Sequence, residues 1–90
     1  MGKIMAPVVS RPATAYVLIS CELGYQTAVI DELRVLPVVI EASEIYGSTY
    51  DIIAKITAAN QDKLEKTIRN YVRRIEKVKV TQTMMVVMTL

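Results

Sequence analysis

The stretch from Thr14 to Leu23, TAYVLISCEL, is largely apolar on both sides of an extended chain. Successive side chains of a strand point to opposite faces, so Tyr16, Leu18 and Ser20 share one side and Val17, Ile19 and Cys21 the other. Such a strand needs cover on both faces, and the segments that follow decide how much the chain itself supplies. Gly24 breaks the strand. The spacing of Val29, Leu33 and Leu36, with Ile30, predicts a helix over Tyr25–Leu36 that turns Asp31, Glu32 and Arg34 outward. Pro37 ends it, because a residue before proline is pushed out of the helical region.

Val38–Tyr46 reads as a second strand, with Glu41 and Glu44 on opposite faces. Tyr50–Ala58 reads as a third, with Tyr50, Ile52, Ala54, Ile56 and Ala58 on one side and Asp51, Ile53, Lys55 and Thr57 on the other. Asn60 is a good N-cap for a second helix over Gln61–Ile75, with core stripe Leu64, Ile68, Tyr71, Val72 and Ile75. Lys63, Lys66, Arg69 and Arg73 fall on its other side. Val78–Leu90 reads as the last strand, with Thr81, Thr83, Met85 and Val87 on one face and Val80, Gln82, Met84, Val86 and Met88 on the other.

The order βαββαβ predicts an α+β, ferredoxin-like sandwich: a four-stranded antiparallel sheet with two helices on one face. Residues 13–90 form one domain behind a flexible lead-in over 1–12, which carries Pro7 and Pro12 and no periodicity. Two helices cover one face only. The other would be a bare apolar patch of roughly several hundred Å², more than soluble monomers usually expose. A second copy of the chain is therefore expected to cover it.

Composition removes several function classes. The chain has one cysteine, Cys21, and no histidine, so an internal disulfide and His-based triads or metal clusters are excluded. No phosphate-cradling glycine motif is present, and no acid pairs with a plausible nucleophile, so no catalytic residue, cofactor or metal site is expected. No apolar run approaches the roughly twenty residues that span a bilayer, and no signal peptide opens the chain, which predicts a cytoplasmic protein. A net charge of +2 gives no footprint for nucleic acid. The element order is shared with RNA-recognition motifs, but the aromatic and basic signature of those sheets is missing, and acids interleave the basic stripe of the second helix.

The densest polar constellation is Tyr46-Gly47-Ser48-Thr49-Tyr50-Asp51, between the second and third strands. Gly47 permits a positive φ, and the loop reads either as an ordinary hairpin connection or as a binding loop. Three runs bear on the choice: CELG-x-x-x-x-VIDEL from Cys21 to Leu33, IYG…YDIIAKI from Ile45 to Ile56, and V-x-x-T-x-T from Val78 to Thr83. Together they resemble the Lrp/AsnC family, specifically its C-terminal ligand-binding module, the RAM domain. The resemblance spans about Ala15 to Met88. It departs from the family pattern in two respects. Two residues, Ser48 and Thr49, separate Gly47 from the Tyr-Asp pair where family members usually have one, and only about a dozen residues precede the first strand where family regulators carry a helix-turn-helix domain.

The resemblance implies sheet-to-sheet homodimers (a dimeric α+β barrel) that assemble further, and an amino acid or similar effector bound where dimers meet. By similarity Gly47, Tyr50 and Asp51 fall in the effector loop, and Thr81 and Thr83 on the last strand. Amides near Gly47, Ser48 and Thr49 suit an effector carboxylate, and Asp51 suits its ammonium group. Each residue also has a plain structural reading: a turn glycine, a loop cap, good strand residues. The expected function is a stand-alone oligomeric regulatory module that senses an effector, acts through protein partners and binds no specific DNA itself. The alternative is a ligand-free assembly module that modulates full-length Lrp/AsnC-type regulators by mixed oligomerisation.

Overall fold

A computed structural model describes residues 12–89 of the chain. The strands are β1 (Ala13–Cys21), β2 (Val39–Glu44), β3 (Ile52–Ala58) and β4 (Val78–Met85). Helix α1 is Gln26–Arg34 and α2 is Gln61–Thr67, the latter running on into a π-helical turn over Ile68–Val72. The sheet order is β2-β3-β1-β4, with every neighbouring pair antiparallel. This is the ferredoxin-like fold that the pattern of elements predicts.

The two faces of β1 separate as the alternation requires. Ala15, Val17, Ile19 and Cys21 are buried beneath the helices, together with Ile52, Ala54 and Ile56 of β3 and Ala42 of β2. Val29 and Leu33 of α1 and Leu64, Ile68 and Val72 of the second helical segment close this core from above. Tyr16 and Met84 on the opposite face are 36% and 40% exposed, and Leu18 and Ile53, paired with each other there, are half-buried. Residues paired across neighbouring strands share a face, so Tyr16, Leu18 and Ser20 stand beside Met84, Gln82 and Val80. One face is a packed core, and the other, without cover from the chain's own helices, mixes Tyr16, Leu18, Ile53, Val80 and Met84 with Ser20, Glu41, Ser43, Lys55 and Gln82, so it is less apolar than β1 alone suggests.

Several boundaries differ from the sequence expectation, each for a local reason. Helix α1 stops at Arg34 rather than Leu36, because the amides of Val35 and Leu36 bond to Glu32 and Leu33 three residues back and tighten the chain ahead of Pro37. β2 is shorter than Val38–Tyr46 and carries an irregularity between Val39 and Glu41, which leaves Ile40 54% exposed on this edge strand. Glu41 pairs with Lys55 and Glu44 with Ile52, so the two acids do lie on opposite faces.

The second helix begins as expected, with the Asn60 side chain accepting the Lys63 amide at 2.9 Å, a cap worth about 1 kcal/mol. It does not continue as α-helix to Ile75. The Arg73 amide reaches back five residues to the Ile68 carbonyl at 2.9 Å, inserting a π turn. The wider turn keeps Ile68 and Val72 in the core but swings Tyr71 out to 58% exposure, so Tyr71 is not a core residue. β4 ends at Met85 rather than Leu90, although the Val86 amide adds one further bond to Thr14. The lead-in expected over 1–12 lies, apart from Pro12, outside the described residues.

Lys77, just before β4, has φ 77°, a left-handed conformation in a non-glycine residue. Its carbonyl accepts the Glu22 amide at 2.9 Å, and its ammonium stands 4.7 Å from the centre of the Tyr25 ring. These contacts hold the end of β1 against the start of β4.

Candidate functional site

Beyond the Glu44–Ile52 pair, the Ile45 amide bonds to the Asp51 carbonyl at 2.9 Å and closes the base of the β2–β3 loop. Gly47 turns the loop with φ 102°. A methyl group there would meet nothing within 4 Å, so the position needs glycine for its backbone conformation and not for space. The Tyr50 amide bonds to Ser48 Oγ at 3.1 Å, a local hydroxyl turn that fixes the descending limb. The amides of Gly47, Ser48 and Thr49 have no hydrogen-bond partner among the described residues.

Asp51 is the junction between loop and sheet. Its amide bonds to the Ile19 carbonyl at 2.8 Å, and its Oδ2 accepts the Cys21 amide at 2.9 Å. The register between β1 and β3 runs only as far as Ile19–Ile52. Where β3 turns away into the loop, the carboxylate takes the place of the next backbone acceptor for β1. Asp51 is therefore a structural cap of the sheet end, with its other carboxylate oxygen left over.

Tyr50 leads elsewhere. Its hydroxyl donates to Gln82 Oε1 at 2.9 Å, across to the open-face row of β4. The loop is thus tied to both halves of the sheet.

An open cleft of about 750 Å³ runs along this loop, lined by Leu23, Gln26 and Glu44 as well as by Ile45 through Asp51. Leu23 and Tyr46 are large apolar side chains left in solvent, 90% and 104% exposed. Burial raises the pKa of the nearby Cys21 thiol, the carboxylates of Asp51, Glu44 and Glu22 raise it further, and Lys79 opposes them. This end of the sheet is thus acidic. Since the folded state holds the thiol proton more tightly, its contribution to stability is present below the ordinary thiol pKa and lost as pH rises above it. Iodoacetamide at about pH 8.5 should alkylate Cys21 many times more slowly in the native protein than in urea, as followed by mass spectrometry. Equal rates would show the thiol to be accessible and unperturbed.

Thr81 and Thr83 are not in this cleft. They pair with Ile19 and Val17, which places them on the helix side of the sheet. There they line a separate groove of about 410 Å³ with Glu65, Ile68, Arg69, Arg73 and Met85. Within one chain, then, Gly47, Ser48, Thr49, Tyr50 and Asp51 come together and the two threonines stand apart. Nothing in the sequence marks Leu23, Gln26 or Glu44 as cleft residues; only the pairing of Glu44 with Ile52, next to Asp51, brings that acid to the loop. No group of three or more acidic, cysteine or histidine side chains suited to a metal ion occurs among the described residues, and no helix there is long and apolar enough to cross a membrane.

The fold, with its glycine-turned loop beside two carboxylates, is that of a known class of ligand-binding domain. The family model for the Lrp/AsnC ligand binding domain matches residues 14–90. The chain belongs to this family. Among solved structures it is similar to FFRP-DM1, at 29% identity and TM-score 0.79, covering 83% of this chain and 99% of that one. Escherichia coli AsnC shares the fold at 19% identity and TM-score 0.81, covering 99% of this chain and 61% of that one. So does the transcriptional regulator NMB0573 from Neisseria meningitidis, solved as a complex with L-Met, at 14% identity and TM-score 0.75, covering 98% and 58%. The chain thus spans less than two thirds of these two regulators. No curated protein matches the chain.

Proposed function

We propose that the protein is a non-catalytic sensing module that binds an amino acid, or a metabolite of similar charge pattern, in the cleft along the Gly47–Asp51 loop. One observation carries this reading. The unpartnered amides of Gly47, Ser48 and Thr49 share a single cleft with the carboxylates of Glu44 and Asp51. Amides in a turn attract a carboxylate, and acids attract an ammonium group, so the cleft offers both halves of a zwitterion. Its volume of about 750 Å³ lies in the range of small-molecule sites. NMB0573, a regulator that shares this fold over part of its length, was solved in complex with an amino acid, L-Met. The leftover oxygen of Asp51 and the carboxylate of Glu44 are the groups assigned to the ammonium.

In this reading the open sheet face is covered by a second copy of the chain, and the assembly acts on partner regulators of the same family. Thr81 and Thr83 join the site only when a neighbouring subunit brings its groove to the loop of the first. A thermal-shift screen of the twenty amino acids is the test. At ligand about a hundredfold above its Kd, one site stabilises the fold by about 2.7 kcal/mol, which raises Tm by roughly 10 °C or more in a domain of this size. If no amino acid moves the melt at millimolar concentration, the ligand-free assembly reading replaces this one.

A further inference from the structure

The two helices cover the same face of the sheet, and each packs on the strands more closely than on the other helix. Val29 and Leu33 of α1 and Ile68 and Val72 of the second helical segment are spent on the core. The flanks of the two segments are left to line a groove of about 500 Å³ between them, within the range of small-molecule sites. Tyr25, Ala28, Glu32 and Leu36, three or four residues apart, make one wall. Asn70, Tyr71 and Arg74 make the other, and Glu76 and Lys77 stand where the second segment ends.

The π turn shapes this wall. It displaces Tyr71 from the core and leaves the ring exposed in the groove, with Asn70 beside it in the same turn, and such insertions recur at functional sites. Tyr25 already uses its ring as a π face, since the Lys77 ammonium stands 4.7 Å from its centre. No cation stands over the ring of Tyr71 among the described residues. Glu32 and Glu76 balance Arg74 and Lys77, and none of these four makes an ion pair among the described residues. The groove therefore gives no net pull on an anion or a cation. It offers instead carboxylate acceptors, amide and guanidinium donors, and an uncovered aromatic ring, over an apolar floor that includes Leu36 and Ile75.

A neutral, planar molecule edged with N–H and C=O groups uses all of these at once. Its face stacks on the phenol ring, where the planar guanidinium of arginine adds a second surface, and its edge exchanges hydrogen bonds with the amide and the carboxylate. Nucleobases answer this description. We infer that the groove between the helices is a site for a nucleobase, free or as its nucleoside, with Tyr71 as the stacking platform, Asn70 and Glu32 on the edge of the base and Arg74 against the ring. A second copy of the chain seated on the open sheet face leaves this groove accessible, because it lies on the helix side. It shares no lining residue with the loop cleft.

Adenosine, cytidine and uridine are the probes, each beside its free base, with ribose as the control, titrated by calorimetry at about 0.15 M salt, where diffuse surface attraction is screened. None carries a carboxylate or an ammonium group, so the result does not depend on amino-acid recognition at the loop. At least one base should bind at millimolar concentration or below, and comparison with its nucleoside shows whether the sugar contributes. Tyr71→Leu should weaken that binding about tenfold or more, and Arg74→Gln by a smaller factor. Arg34→Gln, which removes an exposed charge of α1 outside the groove, should change it by no more than about twofold. The monophosphate of the same nucleoside should bind no more tightly than the nucleoside. Absence of binding by every base and nucleoside at millimolar concentration overturns the inference. So does equal binding of ribose, or undiminished binding in both Tyr71→Leu and Arg74→Gln. A monophosphate or a single-stranded oligonucleotide that binds tenfold more tightly overturns it as well, because phosphate attraction would then carry the affinity. All three substituted positions are exposed, and circular dichroism checks that each variant keeps its structure.

Discussion

Leu18→Lys is expected to turn an assembled protein into a folded monomer. Leu18 lies on β1, an inner strand of the sheet, with Ile53 and Gln82 beside it on the face that the helices leave open. A lysine there stays solvated in the monomer and costs the fold little. In a sheet-to-sheet interface the same ammonium group would be desolvated at the middle of the contact, beside Ile53, which costs several kcal/mol. The adjacent residue gives the contrasting result. Val17 faces the helices at 0% exposure, so Val17→Lys should unfold the protein instead of dissociating it. Light scattering and circular dichroism together separate the two outcomes. The native chain should scatter as a multiple of 10.1 kDa, Leu18→Lys as 10.1 kDa with its circular dichroism intact, and Val17→Lys should lose the folded spectrum. A native protein that scatters as a monomer at micromolar concentration removes the assembly proposal outright.

The contrast between Leu18 and Val17 shows what a linear reading reaches. Period-two alternation divides β1 into two sets of side chains whichever way the sheet lies, so the membership of each face was legible. Which set meets the helices was not, because both are apolar; that follows from pairing β1 with β3, whose own cleaner alternation has Ile52, Ala54 and Ile56 buried. The same limit explains Thr81 and Thr83. Their common face was readable, but its placement against the second helix depends on the register with Ile19 and Val17.

Helix α2 illustrates a different limit. Leu64, Ile68, Val72 and Ile75 fit an uninterrupted α-helix, and nothing in their spacing marks a π turn. The insertion is visible only as a bond between the Arg73 amide and the Ile68 carbonyl, and its cost to the expectation is Tyr71, displaced from the core stripe. The loop was legible as a loop because glycine and hydroxyl residues interrupt two β-branched runs. The bond from the Cys21 amide to Asp51 closes thirty positions of chain, and no local pattern reports it.

That bond sets the outcome expected at Asp51. The residue has two roles to separate: an acceptor for the Cys21 amide, and a negative charge for an effector's ammonium group. Asparagine keeps a carbonyl oxygen in the place of Oδ2 and loses the charge. Asp51→Asn should therefore leave the ligand-free melt within a few degrees of the native protein, and should abolish the stabilisation produced by whichever amino acid the screen identifies. Alanine removes the acceptor as well, leaving a partly buried amide unsatisfied at a cost of about 1–3 kcal/mol. In a domain of this length that lowers Tm by roughly 5–20 °C without any ligand present. The two variants thus dissect the residue: a melt lowered in alanine alone assigns the cap, and a ligand response lost in asparagine assigns the charge. Because ligand is proposed to favour the assembled state, binding and assembly must shift one another equally, and Asp51→Asn should also remove any ligand-dependent change in light scattering. If Asp51→Asn retains the full ligand response, the ammonium group is held elsewhere in the cleft, with Glu44 the next acid to test, and Asp51 is a sheet cap and nothing more.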